Sequence, residues 1–377
     1  MQKIKFCHVI SGFYRNNERI FWKQCRSLVH AGYDVTLITN DGGKDEILEG
    51  VKIVPSGFTF SNRFQRILLS KKINYKKVLE VDPDIIQIHE PAFIPLGLKF
   101  IKHGKRLIYD SHEDLPRQIL EKDWIPVLLR RPLSKLAEAY YKSALKKYDA
   151  VITVTPHIAE SLKKASNNVH CVTNYPIVDN SMGIPSLDEY LNRDNLLCYA
   201  GTVYHFSSQD RIITAIKGMH NLNYMIVGNI DDDYKSYLLN NLSTQNVNFK
   251  GHVPREQLID IYKGATIGIV VADYSPNLGY KMGTLGSNKL FEYMCFSLPV
   301  ICTDFVLWKE IIEKYKCGIC LNPNNIDEIR SAIKYLVENK EEAYQMGQNG
   351  RRAILEEYNW NTQEKIYLDM IKKLLAT

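Results

Sequence analysis

The sequence predicts an α/β protein made of two doubly wound, Rossmann-like domains, each a parallel sheet covered by helices, facing each other across a cleft. Three observations carry that expectation. Short runs rich in β-branched residues alternate with longer segments of helical periodicity. The alternation stops in a weakly periodic stretch and then restarts. The length of 377 residues suits two or three domains of roughly 150 residues each.

Taken in order, strands fit Lys5 to Ile10, Val35 to Thr39, Ile85 to His89, Arg106 to Asp110 and Ala150 to Val154. Helices fit between them, for instance Glu18 to Gly32 and Pro132 to Lys147. Asn174 to Asn195 carries Pro176, Pro185 and Met182-Gly183 with little periodicity, and reads as a linker. The second half fits strands at Leu196 to Thr202, Tyr224 to Val227, Val247 to Lys250, Ile267 to Val271 and Val300 to Thr303. Domains over 1–178 and 190–360 follow. KFCHVISGF and NLLCYAGTV form a weak pseudo-repeat, each running a buried strand into a glycine turn. Ligands of such sheets sit beyond the carboxyl ends of the strands, so those turns are expected to line the site.

Composition narrows the class. Hydrophobic residues make up 45% and charged residues 24%, which excludes disordered, collagenous and coiled-coil chains. Eight cysteines lie scattered in apolar stretches, and only Cys317-Gly-Ile-Cys320 has C-x-x-C spacing, so free thiols in a reducing cytoplasm are expected rather than a zinc site. The N-terminal MQKIKFCHVISGFYR lacks a small-residue cleavage site and reads as a strand, and Gly264 to Ala272 is far too short to cross a bilayer. The formal charge is +6, with the basic excess in residues 1–180, which points to an anionic partner there.

No G-x-G-x-x-G or G-x-x-x-x-G-K-[ST] occurs, which counts against dinucleotide dehydrogenases and P-loop NTPases. A helix N-terminus can still bind phosphate through its free amides. The best candidate is GSNKLFEYM (Gly286 to Met294), where a loop with Gly283 and Gly286 enters a helix carrying Lys289 in its first turn. A base there conflicts with the helix macrodipole, and an anion between Lys289 and the amides resolves the conflict; a merely solvated lysine is the plain alternative. Glu292, one turn after Asn288, could accept hydrogen bonds from sugar or ribose hydroxyls, or could simply be an exposed helical acid. His112, in LIYDSHEDLP, follows a strand's carboxyl end with Asp110, Glu113 and Asp114 around it, so functional and structural readings stand level. His8 and His89 also sit near strand ends, and His8, alternating with Phe6 and Ile10, reads as core.

No metal site is expected: H-E-x-x-H is missing, and Asp231-Asp232-Asp233 reads as a helix-start acid cluster. No G-x-S-x-G supports a serine nucleophile. The segment Asn62 to Leu79 gathers Arg63, Arg66, Lys71, Lys72, Lys76 and Lys77 beside apolar residues at near-helical spacing, and could lie on an anionic membrane. WIPVLLRR (Trp124 to Arg131) is a second such candidate; an ordinary surface helix is the alternative for both. Nucleic acid is not an expected partner, since no reader motif interleaves with these bases.

The chain resembles the retaining glycosyltransferases of family 4, of GT-B fold. The residues that carry the resemblance are His8 to Thr39 (HVISGFYRNNERIFWKQCRSLVHAGYDVTLIT), IHEPAFIPLGL, LIYDSHEDLPRQIL, YAGTV, FKGHVPREQL, SNKLFEYMCFSLPVICTDF and the terminal YNW. The resemblance implies that Gly12 lets backbone approach the donor phosphates or the acceptor, and that His112 contacts the transferred sugar near its anomeric centre as a catalytic residue. Gly201 and Thr202 match the turn facing the diphosphate, and His252 and Val253 the stretch whose backbone reads the base. Asn288, Lys289 and Leu290 match the helix start at the phosphates. Glu292 matches the second glutamate of an E-x7-E element, expected to hold the ribose hydroxyls. The helix from about Asn361, within 361–377, is expected to pack back on the first domain.

Two departures stand out. Thr284 occupies the place of the first E-x7-E glutamate, which touches the donor sugar, and Ser207 the place of a basic residue after the glycine turn, with Arg211 nearby but out of register. Diphosphate charge would then rest on Lys289 and the helix N-terminus. The resemblance implies a retaining, metal-independent hexosyltransferase without cofactor. It would move sugar from a nucleotide diphosphate donor, UDP-sugar ahead of GDP-sugar, to a saccharide acceptor. The basic first half motivates a lipid-linked acceptor in surface polysaccharide assembly, met at the inner face of the cytoplasmic membrane. Two alternatives use the same residues: a GT-B sugar-nucleotide epimerase, and a nucleotide-sugar binding protein without turnover.

Overall fold

The computed structural model describes residues 3–57, 63–122, 124–179, 182–276 and 278–376, with the side chains of 63–68 and 121 outside that description. These residues form two compact units: Met1–Asn174 with Asn361–Thr377, and Tyr175–Trp360.

The first unit is built on β1 (Lys5–Val9), β2 (Asp34–Thr39), β3 (Glu46–Leu48), β4 (Val51–Pro55), β5 (Ile85–Ile88), β6 (Arg106–Ser111), β7 (Ala150–Thr153) and β8 (Val169–Cys171). The sheet order is β3-β4-β2-β1-β5-β6-β7-β8, parallel except for the β3–β4 pair. From β1 the chain winds outward through β2 to β4, then returns to β5 and winds the other way. The reversal therefore lies between β1 and β5, whose register sets His8 opposite Gln87 and Val9 opposite Ile88. The last helix, Trp360–Ala376, belongs to this unit from Asn361 on. It buries Tyr367, Met370, Ile371 and Leu374, the spacing of one helix face. Its Gln363 Oε1 accepts the Thr173 amide at 2.8 Å.

The second unit repeats the plan with β9 (Leu196–Ala200), β10 (Asn223–Val227), β11 (Val247–Gly251), β12 (Ile267–Val270), β13 (Val300–Thr303) and β14 (Gly318–Leu321), ordered β11-β10-β9-β12-β13-β14 and all parallel. Its winding reverses between β9 and β12. Side chains alternate across a strand, so Leu197 and Tyr199 enter the core cluster on one face while Cys198 and Ala200 enter that on the other. At β9, β12 and β13 both faces are buried, which is why these strands read as unbroken apolar runs.

Several short elements depart from the sequence reading. β3, β4, β8 and β14 were not expected, and the helix expected from Pro132 starts at Val127, with Pro132 inside it. The helix expected over Glu18 to Gly32 runs as a π-helix over Glu18–Cys25 and an α-helix over Arg26–His30. Asp231 caps the helix Asp232–Asn241, accepting the amides of Asp233 and Tyr234 at 3.1 and 3.2 Å, as a helix-start acid should.

The carboxyl ends of β9 and β10 turn through paired glycines. Gly228 has φ +136°, and a Cβ there would lie 2.2 Å from the Gly201 carbonyl oxygen, a backbone atom that cannot swing aside. Gly228→Ala is therefore expected to lower stability by about 2–4 kcal/mol. Chemical denaturation reads this directly, and an unchanged midpoint would contradict the tight turn.

Candidate functional site

In the first unit the carboxyl ends at the winding reversal carry Ser11-Gly12 after β1, His89-Glu90 after β5 and Asp110-Ser111-His112 at the end of β6. Asp110 is fully buried, and four side chains meet its carboxylate. Arg19 reaches it with Nε at 3.0 Å and Nη2 at 2.8 Å, Gln24 donates at 2.7 Å, and His89 Nδ1 and His112 Nε2 lie at 3.3 and 3.4 Å. The π-helix makes this possible. Residues five apart diverge on an α-helix, but i→i+5 bonding stacks them, so Arg19 and Gln24 address one carboxylate. Asn17 caps that segment by accepting the Ile20 amide at 3.0 Å.

The network extends both ways. His89 Nε2 meets His8 Nδ1 at 2.9 Å, and His89 Nδ1 lies 3.2 Å from His112 Nε2. Behind Gln24, Gln87 donates to its Oε1 at 3.0 Å, and Tyr367 of the last helix donates to Gln87 Oε1 at 2.7 Å. His112 alone of the three histidines reaches solvent, and Phe13 stacks on its ring with centroids 4.9 Å apart. Burial raises the Asp110 pKa, but Arg19, His112 and His89 outweigh it and hold the carboxyl well below the usual range. Burial pushes His89 down to about 4 against the pull of Asp110. Burial and the neighbouring His89 likewise lower His8. The result is a buried anion that fixes the ring of an accessible imidazole.

His89, Asp110 and His112 bring ligand atoms within 4.8 Å of one another, close enough to hold a metal ion. The Asp110 oxygens, however, already accept Arg19 twice and Gln24 once, and a metal cation would sit beside that guanidinium. The arrangement is better matched to hydrogen bonding. Of the other acids near His112, Glu113 is exposed and Asp114 caps the helix Leu115–Gln118, so only Asp110 meets the imidazole.

Gly12 does not present free amides. Its N–H donates to Glu90 Oε1 at 2.5 Å, beside the Ser11 amide at 2.7 Å, and the Ser11 hydroxyl donates to Glu90 Oε2. A phosphate reaching this turn would have to displace a carboxylate, so the geometry suits hydroxyls better than the phosphates the sequence reading also allowed. Glu90, in IHEPAF, was overlooked because nothing local marks it.

In the second unit, the helix Asn288–Cys295 follows β12 and starts at Ser287, whose side chain makes no capping bond. Lys289 is partly buried, with Nζ over the Tyr199 ring at 5.3 Å and pressed against the glycine turn: a Cβ on Gly201, itself at φ +138°, would lie 2.3 Å from Lys289 Cε. Burial lowers the Lys289 pKa, opposed by Glu292, and no carboxylate bonds to the ammonium among the described residues. Thr202 is exposed, its carbonyl accepting the Tyr199 hydroxyl at 3.0 Å, and Leu290 is core.

Glu292 is engaged on both oxygens, accepting Arg255 Nη1 at 2.5 Å and the Tyr262 hydroxyl at 2.7 Å. Neither partner was read from the sequence. His252 is exposed just beyond β11, and Val253 packs against the core. Thr284 Oγ1 accepts the Gly286 amide at 3.0 Å, and its carbonyl accepts Trp308 Nε1 at 2.7 Å, so this residue shapes the loop. Ser207 is buried, donating to the Tyr204 carbonyl at 2.5 Å, while Arg211 is held by Asp273, Asn324 and the Pro323 carbonyl. Lys289 is thus the cation that the described residues leave at the glycine turn.

The basic segment forms the helix Arg63–Val81, of which the Arg63 and Arg66 side chains lie outside the described residues. Ser70, Asn74 and Val78 bury one face, Lys72 and Lys76 are exposed, and Lys71 and Lys77 are partly so, Lys77 reaching Glu80 at 3.6 Å. None of the described helices is long and apolar enough to cross a membrane.

Comparison with known proteins gives two family matches. Residues 18–179 match Glycosyltransferase Family 4, and residues 189–353 match Glycosyl transferases group 1. An uncharacterized glycosyltransferase of Methanocaldococcus jannaschii is 27% identical over 185 residues, 48% of this chain and 45% of that protein, so the match spans under half of its length. Among solved structures, sucrose-phosphate synthase from Thermosynechococcus elongatus aligns with a TM-score of 0.77 at 16% identity, over 99% of this chain and 100% of that one. WaaG, a glycosyltransferase involved in lipopolysaccharide biosynthesis, gives 0.70 at 14% identity over 97% and 99%. HepE of Anabaena, solved with UDP and glucose, gives 0.69 at 10% identity over 99% and 100%. At these identities the structures establish the shared GT-B fold.

Asp110→Asn leaves Arg19 buried without its counter-charge, so a loss of about 3–5 kcal/mol is expected in denaturation experiments. A loss below 1 kcal/mol would contradict the pairing. The histidines give a pH test. With the His89 pKa lowered from 6.5 to about 4, the unfolded chain binds the extra proton between those values. Stability is therefore expected to fall as pH drops from 6.5 toward 4, and His89→Gln should flatten that slope.

Proposed function

Given that the chain belongs to the glycosyltransferases, with a family 4 domain followed by a group 1 domain, we propose that it is a retaining, metal-independent hexosyltransferase. It moves a sugar from a nucleotide diphosphate donor, UDP-sugar ahead of GDP-sugar, to a lipid-linked saccharide of a surface polysaccharide. The observation that carries this reading is Lys289: a lysine with no carboxylate partner among the described residues, at a helix start whose Ser287 side chain makes no capping bond, against a glycine turn. A lysine and the N-terminus of its helix together form a site for a diphosphate.

In this reading the amides of Asn288, Lys289 and Leu290 and the Lys289 ammonium hold the diphosphate. As the glycosidic bond to phosphate breaks, they stabilise the charge that gathers on the leaving group, so no divalent ion is needed. Gly201 leaves room for the Lys289 stem. Glu292, steadied by Arg255 and Tyr262, offers its remaining lone pairs to the ribose hydroxyls, and the backbone at His252 and Val253 meets the base. His112, its ring fixed by Asp110 and stacked by Phe13, contacts the transferred sugar near its anomeric carbon. The acceptor hydroxyl attacks from the face the leaving group departs, and a donor phosphate oxygen takes its proton. Retention follows without an enzymic carboxylate nucleophile.

Lys289→Ala is expected to weaken UDP binding about tenfold to a hundredfold in calorimetry, the worth of one charge-assisted contact. His112→Ala should lower kcat about a hundredfold with little change in KM. Transfer at the parent rate by His112→Ala, or NMR of the product showing an inverted anomeric centre, would overturn this reading.

A further inference from the structure

The helix Val127–Ala144 divides into three faces. One is anchored: Tyr141 and Ala144 are buried, and Ser134 Oγ donates to the Pro116 carbonyl at 2.6 Å. Arg130 fixes the preceding turn through Nε to the Ile125 carbonyl at 2.9 Å. The second face stands in solvent although it is apolar. Leu128, Pro132, Leu136 and Tyr140 recur every four residues with Leu129 and Leu133 alongside, and Leu128 and Leu136 are 89% and 66% exposed. Trp124, 69% exposed, precedes the helix. The third face borders this stripe with exposed Arg131, Lys135 and Lys142 and one acid, Glu138.

Exposed apolar residues elsewhere, such as Ile47, Ile184 and Leu355, are scattered; here they are contiguous. An apolar stripe edged by cations fits one kind of surface well. Apolar side chains can enter an acyl layer while the cations meet anionic headgroups and an indole takes the interface. A second copy fits poorly, because this helix offers one carboxylate, Glu138, against four cations. Among its described side chains, the basic helix Arg63–Val81 shows no such contiguous apolar stripe. Val78 is in the core with Tyr75 against it, and its exposed apolar side chains, among those described, are Leu69 and Leu79.

We propose that the helix Val127–Ala144, with Trp124, seats this protein on an anionic lipid bilayer through Leu128, Leu129, Leu133 and Leu136, with Arg131, Lys135 and Lys142 against the headgroups. This deepens the proposed function by naming where its lipid-linked acceptor is met, and it rests on that function only for the acceptor.

The test is flotation of the full chain with vesicles of phosphatidylglycerol and phosphatidylcholine, beside vesicles of phosphatidylcholine alone. Binding is expected to the anionic vesicles and to weaken with salt. Leu128→Glu with Leu136→Glu, and separately Arg131→Glu with Lys135→Glu, should each lower it at least about tenfold. Reversing Lys71, Lys72, Lys76 and Lys77 should cost less than either pair. UDP-induced thermal stabilisation retained in every variant shows that the fold survives. Failure of the parent protein to float would overturn the inference. So would equal flotation by parent and leucine variants, or a lipid-free dimer abolished by Leu128→Glu. A chain that floats yet transfers no sugar would instead count against the proposed function alone.

Discussion

A lysine ammonium held between an aromatic ring and a glycine turn, with no carboxylate bonded to it, is the constraint from which the account of the second unit follows. Desolvation already costs this group part of its charge stability, and the positive end of the helix on which it sits adds to the cost. Glu292 offsets this only in part, and among the described residues no carboxylate bonds to the ammonium. Arg211 is held by Asp273, and Glu292 is shared between Arg255 and Tyr262. A fold that keeps a strained cation in that position, at the start of a helix, is prepared for an anion. Gly201 belongs to the same device, because a side chain there would close the space Lys289 uses, and Gly228 in turn leaves room for the Gly201 backbone.

The first unit solves the opposite problem. There the buried charge is an anion, Asp110, and it is fully answered by Arg19, Gln24 and two histidines. The π-helix is the backbone feature that permits this, bringing Arg19 and Gln24 to one carboxylate. Tyr367, on the last helix, extends the same chain of hydrogen bonds through Gln87. The most distant segment in sequence thereby contributes to the setting of His112. What remains accessible is an imidazole whose orientation is decided by groups that never reach solvent.

Much of this was legible in the sequence. Central strands are covered on both faces, so Ile85–Ile88, Leu196–Ala200 and Val300–Thr303 announce themselves as apolar runs. The doubly wound plan then places Gly12, His112, Gly201 and Lys289 at strand ends. β3, with three exposed residues, and β8, with three partly buried ones, carry too little apolar signal to be seen. The π-helix was invisible because its sequence has ordinary helical periodicity. Three acids near His112 looked equivalent; the fold turns one inward, leaves one exposed and spends one as a cap. Glu90 and Arg255 act across 78 and 37 positions respectively, a range at which no spacing rule operates. The apolar residues of Val127–Ala144 have the spacing of a buried face, and only the structure reveals that the described residues leave them exposed.

The most direct test of the central claim is a crystal structure with UDP at saturating concentration and no divalent ion. The account predicts diphosphate oxygens within hydrogen-bonding distance of Lys289 Nζ and of the amides that open its helix. Phosphates bound elsewhere, or ordered there only when a metal ion is supplied, would contradict it.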